Sequence, residues 1–174
     1  MEKDAGGEIM KAVLMVNGKE FPIEIQDPAL INILNGKKTG YDRVSKLRGY
    51  YSVNDENIVV CHSEQNDYRD KQRFEAANYY SDKRVAEDNA RADRLMRELR
   101  RYAVEHRTSE VNWDNSDQKK YCIYYNHHSL SINDVTIMCM CGTVYFDTRS
   151  VAEQAIELFK NELVWYIEKY KDTL

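Results

Sequence analysis

The sequence contains no apolar run long enough to cross a membrane and no disulfide framework. A membrane-spanning helix needs roughly 18 or more consecutive apolar residues, and no stretch of this 174-residue chain approaches that length. The first residues lack the pattern of a signal peptide. The four cysteines follow no framework spacing; they are Cys61, Cys122, Cys139 and Cys141. We therefore expect a protein of a reducing cytoplasm, with free thiols and no membrane contact.

Motifs that carry catalysis or hold a cofactor are also missing. The sequence has no phosphate-binding loop, no dinucleotide-binding glycine pattern and no paired-carboxylate motif. No nucleophile elbow or oxyanion-hole glycine motif accompanies its cysteines and histidines. The sequence therefore favours a protein that is not an enzyme and has no cofactor, although scattered residues could still assemble a site.

Two of the cysteines are close enough in sequence to raise the question of a metal. Cys139 and Cys141 are separated by one residue, which in a strand places both thiols on one face. His127 or His128, across a predicted hairpin, could join them around zinc. Structural zinc sites normally show two well-spaced ligand pairs, however, and cysteine is also a common buried apolar residue. The sequence favours the second interpretation, and we expect no metal.

Charge of either sign is not in large excess. The formal net charge is −4, whereas a general nucleic-acid binder is usually clearly basic. The unusual part of the composition is thirteen tyrosines against four phenylalanines. Tyrosine suits half-buried sheet faces and also protein-binding surfaces, and the sequence favours the first use.

The first 36 residues predict a small N-terminal arm. Strand-like runs over 11–16 and 21–25 flank an Asn-Gly pair, which suits a tight hairpin turn. An Asp-Pro pair then begins a predicted short helix over 29–34, which a second Asn-Gly pair ends. The main domain is expected over 41–174, after a glycine- and lysine-containing linker.

The main domain begins with a predicted strands-then-helix unit over about 49–107. Its helix is the clearest element of the sequence, because apolar residues recur at steps of three and four without a proline or glycine. The predicted elements are strands over 50–53 and 58–61, a loop over 63–72, a strand over 74–80 and the helix over 82–106.

A second unit, over about 120–171, repeats this plan. Asn78–Glu87 and Val144–Glu153 match without gaps at several positions, each as a strand end, a polar cap and the start of a helix. The predicted elements are strands over 121–125, 130–132, 135–141 and 143–146 and a helix over 150–170. The sequence thus predicts an α+β fold, an antiparallel sheet with two long amphipathic helices on one face. An internal duplication explains the match between these two segments. The alternative is that both segments acquired the same sequence of strand end, cap and helix start independently.

The helix predicted over 82–106 is rich in arginine, which can bind phosphates or acidic surfaces. Most of these arginines have an acid four positions away, as in ordinary surface ion pairs. The predicted pairs are Arg84–Asp88, Glu87–Arg91, Asp93–Arg97, Arg94–Glu98 and Arg101–Glu105. Arg100 and Arg107 have no such partner, so they are the arginines that remain candidates for binding.

Three strings of the main domain carry a family resemblance. They are "ANYYSDKRVAEDNARADRLMRELRRYAVEH", "NWDNSDQKKYCIYYN" and "VYFDTRSVAEQAIELFKNELVWYIEKYKD". Through them the chain resembles small uncharacterised proteins encoded by phages and prophages of Gram-positive bacteria. The resemblance covers about residues 40–174 and brings no catalytic motif with it.

The resemblance implies a bacterial host cell as the setting, where small acidic phage proteins often bind and block a host protein. The leading hypothesis is a non-enzymatic inhibitor of a host defence complex, most specifically an anti-CRISPR protein that acts on an RNA-guided DNA nuclease with its guide RNA. Such nucleases have basic channels that an acidic binder could obstruct. The alternative is a phage replication or packaging accessory that contacts nucleic acid through Arg94, Arg97, Arg100, Arg101 and Lys83.

The candidate partner-binding residues combine an acidic surface, two aromatic anchors and the two unpaired arginines. They are Asp55, Glu56, Glu64, Asp67, Tyr68, Asp70, Phe74, Arg100 and Arg107. For any single acidic residue among them, an ordinary solvated loop is the simpler interpretation.

Overall fold

The computed structural model describes residues 10–16, 18–26, 39–126 and 128–170. In this part of the chain seven strands and three helices follow one another. They are β1 Met10–Val16, β2 Lys19–Ile25, β3 Gly49–Val53, β4 Val59–Ser63, α1 Tyr68–Glu75, α2 Lys83–Glu105, β5 Lys120–Asn126, β6 Ser129–Val135, β7 Tyr145–Phe146 and α3 Arg149–Trp165. The last helix continues as a π-helical turn over Tyr166–Tyr170.

The strands form three small antiparallel sheets, β1-β2, β3-β4 and β6-β5-β7. The predicted α+β class is confirmed at this level. Helix α2 packs against β3 and β4, α3 packs against β5, β6 and β7, and the two helices also contact each other. Each long helix therefore covers the strands of its own unit.

The predicted N-terminal hairpin is confirmed by the pairing of β1 with β2. Gly18 adopts a φ of +76° in its turn, a conformation that glycine reaches without steric cost. The register runs from Met10 opposite Ile25 to Val16 opposite Lys19. The predicted short helix over 29–34 lies outside the described residues.

Helices α2 and α3 begin in the same way within the two matching segments. The Asp82 side chain accepts hydrogen bonds from the backbone N–H groups of Arg84 and Val85, and the Thr148 side chain accepts one from Val151. Such caps satisfy donors that the first helical turn leaves unpaired. Just before each cap, Tyr80 or Phe146 pairs with the first strand of its unit.

The apolar core lies between α2, α3 and the strands of the second unit. One face of α2 buries Leu95, Leu99 and Ala103, while α3 buries Ala152 and Leu163. Burial of a leucine side chain contributes roughly 1.5–3 kcal/mol relative to an exposed one. The long apolar stripe that the sequence predicts for α2 therefore faces the core.

Two predicted strands of the main domain are wrong. Residues 68–75 form α1 where the sequence predicts the end of a loop and the start of a strand. Asp67 caps this helix through a capping box with Asp70. Only Tyr80 remains of the predicted strand over 74–80, as an isolated bridge to Tyr51.

The predicted strand over 135–141 is also wrong, because β6 runs through Asn133 and Asp134 and ends at Val135. Beyond it, residues 136–144 form no strand. Two backbone groups of this loop form hydrogen bonds with side chains instead of with a neighbouring strand. Lys120 Nζ donates to the Thr136 carbonyl at 2.7 Å, and the Tyr145 hydroxyl accepts from the Met140 N–H at 2.7 Å. Cys139 and Cys141 therefore lie in a loop and not on a sheet face.

Candidate binding site

Glu64, a predicted member of the acidic surface, lies in the interior. Its side chain is 0% exposed, and Arg43 donates to both of its carboxylate oxygens, at 3.0 and 3.3 Å. The Tyr79 hydroxyl donates to it at 2.7 Å, and the Asn66 N–H at 2.8 Å. The bonds from Arg43, with those from Tyr79 and Asn66, hold the pKa of Glu64 below its usual value against the effect of burial. All of this carboxylate's bonds are internal.

Asp70 is buried in the same way, at 3% exposure. It accepts from the Tyr50 hydroxyl at 2.6 Å and from the Gln65 N–H at 2.7 Å. Burial by itself raises the pKa of Asp70, but these bonds outweigh it and hold the pKa at about 2. Arg73 completes the network with a bond of 2.7 Å to the Tyr50 hydroxyl. The network fixes α1 and the loop before it onto β3 and β4.

A serine-histidine pair that the sequence analysis missed lies on the same sheet. Ser52 Oγ lies 2.8 Å from His62 Nε2, and such a pair is the starting point of nucleophilic catalysis. Burial, together with the charge of Arg73, lowers the pKa of His62. Ser52 is only 5% exposed, and among the described residues no carboxylate bonds the other ring nitrogen of His62. The pair joins the two strands and offers no accessible nucleophile.

The remaining predicted acids do not form one surface. Asp55 and Glu56 are exposed in the β3-β4 turn, whereas Asp67 lies beside the opposite end of that hairpin. A five-residue strand separates these two places by roughly 13 Å.

The two predicted aromatic anchors both lie on α1. Tyr68 is 72% exposed and Phe74 is 42% exposed. The Phe74 ring packs edge-on against Tyr79, with ring centroids 5.5 Å apart. The structure thus brings Asp67, Tyr68 and Phe74 to one helix, away from Asp55 and Glu56.

Three of the five predicted ion pairs on α2 form, namely Arg84–Asp88, Arg94–Glu98 and Arg101–Glu105. Arg91 instead makes two hydrogen bonds to Glu162 of α3, at 2.7 and 3.0 Å, and stacks over Trp165. Arg97 donates to the side chain of Asn57 in the β3-β4 turn. These two residues join α2 to its neighbours and are not free to bind phosphate.

The two arginines without a predicted partner lie near the end of α2 and beyond it. Arg107 forms an ion pair with Glu110 at 3.7 Å. Arg100 is exposed and forms no ion pair within the described residues. The described part of α2 therefore presents mostly paired arginines.

An apolar cavity of about 410 Å³ opens between α2, β5 and the end of α3. Its wall combines core side chains with four tyrosines and the end of the loop after β6. The lining residues include Leu95, Leu99, Ile123, Tyr124, Tyr125, Val144, Phe146, Tyr166, Ile167 and Tyr170. π-Helical turns such as the one over 166–170 are frequent at functional sites. No local pattern of the sequence predicts this cavity.

The most exposed apolar surface that the structure describes on a regular element is the hairpin β1-β2. Residues directly opposite each other in an antiparallel pair share a face. One face of the hairpin therefore carries Leu14 and Phe21, with Met10 and Ile25. The other face carries Lys11 and Glu24 together with the exposed Val13 and Met15. Leu14 is 50% exposed and Phe21 is 47% exposed. We call the first of these the apolar hairpin face.

Neither a metal cluster nor a membrane span is found in the described residues. Within them, no group of three or more histidine, cysteine or acidic residues is placed to hold a metal ion. His127, one of the predicted zinc ligands, lies outside the described residues, and His128 is exposed at the β5-β6 turn. None of the described helices is long and apolar enough to cross a bilayer.

Comparison with known proteins adds no relative. No protein family, curated protein or solved structure matches this chain.

Proposed function

We propose that this protein is a non-enzymatic inhibitor that binds a host defence complex, most specifically an anti-CRISPR protein directed at an RNA-guided DNA nuclease. The observation that supports a binding role most directly is the apolar hairpin face. Exposed apolar patches of this kind mark interaction sites on soluble proteins. In this proposal the phage setting, and with it the kind of partner, comes from the sequence resemblance described above.

The attachment of the hairpin to the rest of the chain suits it to act as an anchor. Its hydrogen bonds and its one ion pair, Lys11–Glu24, stay within the hairpin in the described residues. A two-stranded hairpin alone is marginally stable in water and gains stability when its apolar face is covered. Contact with a partner would cover Leu14 and Phe21, and aromatic side chains such as Phe21 are enriched at the core of protein interfaces.

The charged residues add a second part to the proposal. Asp55, Glu56 and Asp67 keep their carboxylates at the surface, whereas Glu64 and Asp70 are buried. Exposed acids of this kind complement the basic channel of a nuclease and raise the rate of association more than the final affinity. We therefore propose that these acids speed the association with the partner and that the hairpin provides most of the affinity. Tyr68 and Phe74 are further contacts.

The binding role can be tested with purified guide-loaded nucleases on a sensor surface and two matched double variants. Leu14→Ser with Phe21→Ser removes the apolar hairpin face. Val13→Ser with Met15→Ser changes two apolar residues of the opposite face that are at least as exposed. Loss of two anchors is expected to weaken binding about 30-fold or more, and the control is expected to bind as the native protein does.

Two results would overturn this assignment. Equal loss in both double variants would mean that the apolar hairpin face is not the anchor. If no nuclease binds and plain DNA does, with an affinity that falls steeply as salt rises, the protein is instead a nucleic-acid-contacting accessory. Arg94, Arg100 and Arg101 would then be the residues to replace first.

We also propose that the two strands-then-helix units are copies of one ancestral unit, with both long helices on one side of the strands. Tyr80 bridges Tyr51 and Phe146 pairs with Tyr121, at matching positions of the two units. Ala86 and Ala152, also at matching positions, are both 0% exposed. In such a duplicated scaffold, function is expected where the copies differ.

A further inference from the structure

The loop after β6 carries four consecutive sulfur-containing side chains, Met138, Cys139, Met140 and Cys141. Met138 is 62% exposed and Met140 is 40% exposed. Both cysteines are free and exposed as well. We call these four residues the sulfur loop. Thiols and thioethers in a folded protein are more often buried, so four of them together in solvent require a physical explanation.

The backbone of this loop is held from the protein side. Lys120, which is fully buried, donates from Nζ to the carbonyl of Thr136 at 2.7 Å. The Tyr145 hydroxyl accepts from the N–H of Met140 at 2.7 Å, and Trp113 packs edge-on against the Tyr145 ring. The N–H of Thr143 then donates to the carbonyl of Met140 at 3.3 Å. These bonds fix the loop and leave its sulfur side chains in solvent.

We propose that the sulfur loop binds a single Cu(I) ion. Thiolates and thioethers are soft ligands, and they favour Cu(I), zinc and iron–sulfur clusters over hard ions such as Mg²⁺ and Ca²⁺. Cys139 and Cys141, two residues apart, supply two thiolates, and a neighbouring methionine supplies a thioether. A fixed backbone favours binding because less conformational entropy is lost when the side chains close on the ion.

The ligands around this loop do not suit a structural zinc site. Structural zinc sites use four nitrogen, sulfur or oxygen ligands in a tetrahedron. Among the described residues, no third histidine, cysteine or acidic side chain is placed to complete such a set around the two thiols. Cu(I) forms stable complexes with fewer ligands and accepts thioethers, so the donors of the loop are sufficient for it.

Binding is a simple ligand exchange that leaves the metal in the same oxidation state. The two thiols each lose a proton, two Cu–S bonds form, and a weaker chelator leaves the ion. No oxidant or reductant is consumed.

The test is a titration of the reduced full-length protein, without oxygen, against the coloured Cu(I) complex of bicinchoninate. The native protein is expected to withdraw one equivalent of Cu(I). Cys139→Ser with Cys141→Ser is expected to abolish this withdrawal, and Met138→Leu with Met140→Leu to weaken it while keeping the stoichiometry. Cys61→Ser, which removes an exposed thiol from β4, is the matched control and should bind like the native protein.

Three results of these titrations would overturn the proposal. They are equal uptake by the native protein and the Cys139→Ser/Cys141→Ser variant, loss of uptake on replacement of Cys61, or tighter binding of Zn(II) than of Cu(I) in parallel competition. Circular dichroism of every variant shows whether the fold is retained. X-ray absorption at the copper edge must also report sulfur neighbours and no nitrogen or oxygen.

Discussion

The two units share one plan of strands and helix but are stabilised by different interactions. In the first unit, the buried side chains beside β3 include Tyr50, Tyr79, Glu64 and Asp70, joined by hydrogen bonds. In the second unit, Phe146 and the apolar face of α3 form the core, next to an open apolar cavity. The comparison shows that a long helix and its short antiparallel strands are held together by a polar network in the first unit and by apolar packing in the second.

The largest expected effect is the loss of an apolar side chain from the second unit. Phe146 is 1% exposed and packs between α2 and α3. Phe146→Ala should lower the free energy of unfolding by about 3–5 kcal/mol, because it removes buried surface and leaves a void. Urea unfolding followed by tryptophan fluorescence measures this change. Phe146→Leu, the control, should cost much less, and an equal cost would show that packing is not the cause.

A smaller, pH-dependent effect is expected in the first unit. The pKa of Asp70 is about 2 in the folded protein and about 3.9 in an unfolded chain. The carboxylate therefore stabilises the fold above about pH 4, and this contribution is lost as the pH falls towards 2. Asp70→Asn should lower the free energy of unfolding at pH 7 by about 1–3 kcal/mol.

The pH dependence of the free energy of unfolding shows whether Asp70 stabilises the fold through its charge or through packing alone. Unfolding of the native protein should become easier between pH 5 and pH 2 more steeply than unfolding of Asp70→Asn. Asp55→Asn, in the exposed β3-β4 turn, should change the free energy of unfolding at pH 7 by less than about 0.5 kcal/mol. If Asp70→Asn has the same acid slope as the native protein, the buried network does not carry the acid sensitivity.

The most direct comparison of the units removes one hydroxyl from each, at matching positions. Tyr79 is buried and donates to Glu64, whereas Tyr145 is half-buried and bonds the backbone of the sulfur loop. Tyr79→Phe should cost about 1–3 kcal/mol because it leaves a buried carboxylate short of a donor. Tyr145→Phe should cost less than about 1 kcal/mol. The midpoints of urea unfolding measure both changes in the free energy of unfolding, provided that its dependence on urea concentration stays constant. Equal changes in the two variants would show that the two units do not differ as described.

The sequence predicted the elements whose pattern is local. The hairpin β1-β2 follows from an Asn-Gly pair between apolar runs, and α2 follows from one long apolar stripe with Asp82 as its cap. It failed where tertiary contacts decide the outcome. Helix α1 has few apolar residues, and it is fixed by the buried carboxylate of Asp70, which a local pattern presents as a solvated charge.

The same reason explains the errors in the candidate site. Glu64 and Asp70 have the sequence context of surface acids, and only the approach of Arg43, Tyr79 and Tyr50 makes them internal. Arg91 has an acid four positions away in sequence, but Glu162 and Trp165 of α3 provide a better partner. The strand expected at the cysteines is replaced by a loop because Lys120 and Tyr145 bond its backbone.

We propose that this protein blocks a guide-loaded nuclease by occupying it. The most direct measurement is DNA cleavage by a nuclease that the protein binds, titrated with increasing amounts of protein at a nuclease concentration well above the dissociation constant. We expect cleavage to fall linearly to zero at one equivalent of this protein per nuclease, independently of incubation time and of added non-specific DNA. Inactivation by far less than one equivalent that grows with time would contradict it, since that is the behaviour of an enzyme.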